Sequence, residues 1–263
     1  MRHPEHDRLI EAVPGWYTRS FPDMGYRVER RSFGFYARND RAAGANRVTL
    51  RDLGVGDVPA LLADLRRSYD GEAVRILVDD RSLDAGIGPP LLATGCVLSA
   101  TETFLAHVGP LPALPEVGGL TIEPGDEANL TEYAATKLKG FADSEAEPAP
   151  EALAAELALR RAELAGDGEL LLARVDGEPA AILGAIAGPD WLIFQLATRL
   201  PFRGRGIARC LLGRALAAAR ERGGGAVLTN ADPQDTPVQL YRRLGFSDEV
   251  YWRRTYLLPA AAS

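Results

Sequence analysis

Leu192-Ile193-Phe194-Gln195-Leu196-Ala197-Thr198-Arg199-Leu200-Pro201-Phe202-Arg203-Gly204-Arg205-Gly206-Ile207-Ala208-Arg209 decides the reading of this chain. Trp191 to Thr198 is apolar on both faces, the pattern of a central strand. Ile207 to Arg222 is a helix, with Ile207, Leu211 and Ala215, and Leu212, Leu216 and Ala219, along one side. Gly223-Gly224-Gly225 stops it. A helix N-terminus leaves four backbone N–H groups without helical partners and carries partial positive charge. Glycines there let the backbone approach an anion closely, so the turn reads as a phosphate or pyrophosphate site. Arg203, Arg205 and Arg209 add positive charge. A Walker loop is ruled out, because no Gly-Lys-Ser/Thr follows. The dinucleotide pattern G-x-G-x-x-G breaks at Arg209, and the segment lies late in the chain.

Working outward, the same half contains strands at Leu120–Ile122, Leu170–Val175, Pro179–Ile186, Ala226–Thr229 and Tyr251–Leu258. Asp176-Gly177 is a hairpin turn between two of them. Helices are expected from an Asp126 cap to Lys139, from Glu151 to Ala165 and from Thr236 to Leu244. Gly109 to Gly119 carries three prolines and three glycines in eleven residues and cannot continue a helix or central strand. The spacing therefore predicts an N-terminal domain over 1–109, a linker over 110–119 and a second domain over 120–263. In the first half, Val48–Leu50, Val74–Val78 and Phe104–Val108 read as strands, and Val58–Tyr69 and Pro89–Thr94 as helices. That order is a worn copy of the second half. No copy of the glycine motif is expected there, since Arg81 to Gly88 has the wrong spacing.

The strand, glycine turn and helix resemble motif A of the GNAT superfamily of N-acetyltransferases, (Gln/Arg)-x-x-Gly-x-(Gly/Ala), with Arg203, Gly206 and Ala208 in its fixed places. Leu240-Tyr241-Arg242-Arg243-Leu244-Gly245-Phe246 is similar to the family's Leu-Tyr-x-x-x-Gly-Phe signature, and the resemblance covers about Leu120 to Leu258. It implies a mixed α/β (α+β) GNAT fold, a central sheet flanked by helices, in two tandem GNAT-like domains with a degenerate first half. It implies acetyl-CoA as cofactor and CoA as product. The pyrophosphate would rest on the amides of Gly204, Arg205, Gly206, Ile207, Ala208 and Arg209, beside Arg203. The pantetheine arm would pair with Leu196, Ala197 and Thr198, where a backbone amide polarises the thioester carbonyl. Tyr241 matches the tyrosine that protonates the leaving thiolate, a role that suits a phenol protonated at neutral pH. The bland alternative for Tyr241 is a packed aromatic. Two departures stand out. Leu200 replaces a frequent proline. Gln234 replaces an asparagine that contacts CoA, leaving Gln234 and Asn230 as candidates. No carboxylate lies in the middle of the strand: Asp190 precedes it and Gln195 cannot take a proton.

The chain has 263 residues, 46% hydrophobic and 25% charged, which excludes wholesale disorder. Its net charge of −6 argues against a general nucleic-acid binder. No apolar run reaches the length of a membrane span. Met1–Asp7 lacks the layout of a signal peptide, and two cysteines make no disulfide scaffold, so a cytoplasmic setting is expected. Cys96 and Cys210 read as buried, inert thiols. His3, His6 and His107 are too scattered for a metal site. Trp16, Tyr17, Arg19, Phe33, Phe35 and Tyr36 read as core or as cleft aromatics. Asp143, Glu145 and Glu147 form either a solvated loop or an attractor for a cationic amine. The expected activity is acetyl transfer to a primary amine of a small molecule or peptide, by direct attack in a ternary complex. The rival readings are a CoA-binding sensor without turnover, a donor longer than acetyl and a nucleotide module. A homodimer is compatible with an exposed edge strand.

Overall fold

The computed structural model describes residues 26–39, 46–50, 53–107, 109–234, 236–246 and 248–261. The chain forms two compact units that interleave along the sequence. The first takes the chain to Phe104 and regains it over Ala231–Val238 and from Glu249 onward. The second comprises Leu105–Asn230 and Gln239–Asp248.

In the first unit the strands run in the order β1 (Tyr26–Arg31), β2 (Gly34–Asn39), β3 (Arg47–Leu50), β4 (Val74–Val78), β11 (Asp248–Leu258), β5 (Val97–His107). Helix α1 (Val58–Ser68) has Pro59 in its first turn, where a missing N–H is harmless. It buries Val58, Leu61 and Leu65, spaced for one face, against Ile76, Val78 and Tyr256. Helix α2 (Arg81–Ala93) begins eight residues earlier than the expected Pro89, because the Asp80 carboxylate accepts the Leu83 N–H at 2.7 Å. Pro89 and Pro90 lie inside it. The C-terminal strand, read from sequence as closing the second half, pairs antiparallel with β4, Arg254 opposite Val78 and Leu258 opposite Val74. There Tyr256 Oη donates to Asp84 Oδ1 at 2.6 Å and Arg254 Nη1 to Asp84 Oδ2 at 2.7 Å.

Cys96 and Tyr36 are core, Phe33 packs against that core, and Phe35 is half-buried beneath the Arg30 guanidinium. His3, His6, Trp16, Tyr17 and Arg19 lie outside the described residues. One expectation is corrected by the placement of elements. The spacing Arg-x-x-Gly-x-Gly recurs at Arg51-Asp52-Leu53-Gly54-Val55-Gly56, and its glycines fall between β3 and α1. Asp57 Oδ2 accepts the Gly54 N–H there at 3.0 Å, so a carboxylate of the chain itself stands at that helix start.

The second unit orders β10 (Val227–Ala231), β9 (Trp191–Thr198), β8 (Glu178–Ile186), β7 (Gly168–Val175), β6 (Leu120–Pro124). The β7–β8 hairpin turns through Asp176 and Gly177, both in the left-handed region at φ 52° and 84°. Helices α3 (Leu130–Ala142) and α4 (Pro150–Leu164) precede it, and α5 (Ile207–Glu221) follows β9. Leu130, Tyr133, Leu170, Leu172, Ile182 and Ala197 form a core. Asp126 does not cap α3. Its Oδ1 accepts the Ala128 and Asn129 N–H groups, and the helix starts after Asn129.

The proline-rich segment from Gly109 to Val117 is strapped along α5. Arg220 donates to Gly109 O, Arg209 Nη2 to Ala113 O at 3.2 Å, and Cys210 Sγ to Pro115 O at 3.4 Å. Leu114 covers Gly213, where a Cβ would come within 2.5 Å of its methyls. Burial pushes the Cys210 and Cys96 thiols up, in keeping with inert core cysteines.

Candidate active site

Two features of β9 prepare the site. Gly184 of β8 faces Gln195 and Ala185 faces Ile193, so Phe194 is an extra residue, a β-bulge. On its other side β9 pairs in parallel with β10 over only Trp191–Ile193, the last pair being Ile193 with Thr229. Beyond that pair the two strands have no further register among the described residues. Arg199 N–H donates to Ala180 O of β8 at 3.0 Å. Alternation then turns the polar groups of Thr198, and of Leu196 two residues back, toward the edge where β10 has parted. Thr198 O does face that way, accepting from Arg203 Nε at 2.9 Å. Leu196 and Thr198 are half-buried, and Ala197 is buried against Gly140 of α3. A Cβ on Gly140 would lie 2.9 Å from that of Ala197, so the glycine sets how closely α3 lies on the strand.

After a 3-10 turn at Leu200–Phe202 the chain enters the glycine loop, with Gly204 at φ 73° and Gly206 at φ 88°. Both glycines are in the left-handed region that other residues avoid. Gly206 is the N-cap of α5 and carries no side-chain cap. Its carbonyl accepts the Arg209 and Cys210 N–H groups at 3.0 and 3.2 Å. The amides of Gly204, Arg205, Gly206, Ile207 and Ala208 precede the first helical bond, the arrangement that suits an anion.

The arginines divide the work. Arg205 is exposed, 5.7 Å from the Phe202 ring, with no hydrogen-bond or ion-pair partner among the described residues. Arg209 is tied to the strap. Arg203 spans from β9 to the end of α3, donating to Gly140 O at 2.8 Å and pairing with Asp143. The acidic loop is likewise internally matched: Glu145 pairs with Arg199, and Glu147 with Lys139 at 2.6 Å. Asp143 and Glu147 are exposed and Glu145 is half-buried, so the loop is solvated, with each carboxylate paired to a cation of the chain itself.

Tyr241 is buried on α6 (Thr236–Arg243), its ring 5.7 Å from that of Phe246. His107 meets Phe246 edge-on at 5.2 Å, and burial, with Arg220 nearby, lowers its pKa, so it is a neutral core histidine. Gln234 belongs to the first unit. It is exposed, and its N–H donates to Asp232 Oδ1 at 2.9 Å. Asn230 is half-buried. Asp190 Oδ1 accepts the Ala226 N–H at 2.8 Å and ties the starts of β9 and β10. No group of three or more His, Cys, Asp or Glu among the described residues could hold a metal ion, and no helix there is long and apolar enough to cross a membrane.

A buried charged cluster beside the bulge was missed from sequence. Lys137 Nζ lies 2.7 Å from Glu156, Arg160 Nε 2.9 Å from Glu156, and Arg160 Nη1 2.6 Å from Glu163. The Arg160 guanidinium is 5.9 Å from the Phe194 ring. Glu156, Arg160 and Glu163 share one face of α4 at helical spacing, the signal that could have found them. Burial raises the Glu163 carboxyl to about 7, against the pull of Arg160 and Lys137. Between the ordinary carboxylate value and pH 7 the folded protein holds a proton that the unfolded chain has released. That contribution to stability is complete below about pH 4 and lost as pH rises to about 7. Urea unfolding of Glu163→Gln should show a shallower dependence on pH across that window than wild type, and an identical slope would refute the assignment.

A model of the acetyltransferase (GNAT) family matches residues 135–246, and that segment is a domain of the family. No curated protein matches the chain in sequence. Among solved structures, the chain is similar to a GCN5-related N-acetyltransferase from Kribbella flavida, at 17% identity over 96% of both chains and a TM-score of 0.66. It is similar to a functionally unknown conserved protein from Staphylococcus epidermidis, at 12% identity, 90% of this chain, 96% of that one and TM-score 0.70. It also resembles a tandem GNAT protein from the clavulanic acid biosynthesis pathway, at 18% identity, 90% of this chain, 82% of that one and TM-score 0.61. Likeness at these identities defines a GNAT fold through nearly the whole chain and leaves the acceptor open.

Proposed function

We propose that the chain is an acetyl-CoA-dependent N-acetyltransferase that transfers the acetyl group to a primary amine by direct attack in a ternary complex. The observation that carries this is the parting of β10 from β9 immediately before an uncapped, glycine-lined helix start. The residues present fit the cofactor: amides turned outward at Leu196 and Thr198, then a cradle of amides at Gly204–Ala208, the Arg209 amide being taken by Gly206 O. Acetyl-CoA, when bound, supplies an acyl group activated as a thioester. The β9 edge orients the pantetheine arm, and the cradle with Arg205 holds the pyrophosphate. Arg203 acts by fixing the strand end to α3. An amide of the Leu196–Thr198 stretch steadies the negative charge on the carbonyl oxygen. Tyr241 Oη would give its proton to the thiolate sulfur as the C–S bond breaks, and the proton shed by the amine nitrogen as the C–N bond forms would pass to water, from which the phenol is restored.

Calorimetric titration of acetyl-CoA into wild type and Arg205→Glu tests this. The reversal should weaken binding about tenfold or more without lowering Tm, because Arg205 is exposed. Equal affinity would remove the loop from the reading, and tighter binding of NAD or ATP would replace it with a nucleotide module. Gly206→Glu is a poorer probe: a Cβ there would meet Pro115 Cγ at 2.7 Å, at a φ that disfavours side chains.

A second reading, a CoA binder without turnover, draws on one observation. The carboxylates bordering the loop, Asp143, Glu145 and Glu147, are all ion-paired, and Asp190 is hydrogen-bonded. Binding without thiol release across a panel of primary amines would favour it.

A further inference from the structure

We propose that the Thr229 hydroxyl donates a hydrogen bond to the acyl carbonyl oxygen of the bound thioester and so lets the site distinguish acetyl-CoA from CoA. The inference rests on the acetyl-CoA reading and names the residue that recognises the acyl group.

Thr229 occupies the closed end of the gap between β9 and β10, opposite Ile193 in the last pair before the strands part. It is 1% exposed, and its Oγ1 has no hydrogen-bond partner among the described residues. Its neighbours in the pairing, Leu228, Leu192 and Ile193, are aliphatic. A hydroxyl withdrawn from water without a partner destabilises the fold, and valine would fill the same shape without that penalty. The free protein therefore gains nothing from this oxygen, which points to a ligand that completes it.

The direction of the cofactor identifies that ligand. The anion cradle follows Thr198. An arm running from the cradle along Thr198 and Leu196 advances toward Ile193, so its acylated end reaches the closed end of the gap. A thioester carbonyl can only accept a hydrogen bond, and a threonine hydroxyl can donate one. The donor adds to the backbone amide of β9, and CoA, which has no carbonyl at that point, gains nothing from it.

The experiment is calorimetric titration of acetyl-CoA and of CoA into wild type, Thr229→Val and Thr229→Ser, with Tm measured for each. Valine should weaken acetyl-CoA about fivefold, the worth of one neutral hydrogen bond, and leave CoA unchanged. Serine should restore the preference, and the valine variant should melt no lower than wild type. Unchanged acetyl-CoA affinity, equal loss for both ligands, or a lowered Tm in Thr229→Val would each overturn the proposal, the last by showing that the hydroxyl has a structural partner. If wild type binds neither ligand, the cofactor reading itself fails and takes the acyl site with it. That result is distinct from a wild type that binds both ligands with equal affinity, which would overturn the acyl contact alone.

Discussion

Arg160→Met will lower the stability of the protein by about 3–5 kcal/mol, the usual consequence of removing one member of a buried ion pair. Arg160 is 2% exposed and contacts both Glu156 and Glu163. Without it, Glu156 keeps Lys137, but Glu163 is left buried beside another carboxylate. The exposed Arg31–Glu29 pair, by contrast, should contribute under about 1 kcal/mol. Urea unfolding at pH 8 reads both. The Arg160→Met deficit should shrink at pH 5, where Glu163 takes up a proton. A deficit below about 1 kcal/mol at pH 8 would mean that water reaches these charges in solution.

Tyr241→Phe should lower kcat about 100-fold or more, the lower range for loss of a general acid. Acetyl-CoA affinity should stay within about twofold, because phenylalanine keeps the ring that packs on Phe246. The measurement is thiol release with whichever primary amines the wild type acetylates, across pH, beside a calorimetric Kd. An unchanged kcat at every pH would end the acid role and leave Tyr241 as a packing residue.

The sequence was most informative where one periodicity runs long and its ends are marked. Trp191–Thr198 and the helix from Ile207 coincide with β9 and α5, because an apolar run, two glycines and an amphipathic stretch agree locally. Asp176-Gly177 placed the β7–β8 hairpin for the same reason. Tyr26–Arg31 escaped notice because four of its six residues are charged, and only pairing with β2 makes it a strand. Pro89 and Pro90 hid α2, whose start depends on Asp80. Arg203 illustrates a deeper limit. Its spacing from Gly206 is local, but the carbonyls of Thr198 and Gly140 that claim it are brought by the fold. The bulge at Phe194 and the orphan hydroxyl of Thr229 are likewise properties of register, which exists only once β8, β9 and β10 have met.

The pairing of β11 with β4 also bears on how the chain is made. A ribosome releases Val74–Val78 long before it reaches Arg254–Leu258, so the nascent first unit waits with one edge of β4 unfilled while the 175 residues from 79 to 253 emerge. An open strand edge invites pairing with other chains. The long interval predicts a dependence on chaperones during synthesis, and it explains why cutting the gene at the proline-rich segment would strip the first half of a strand rather than liberate it.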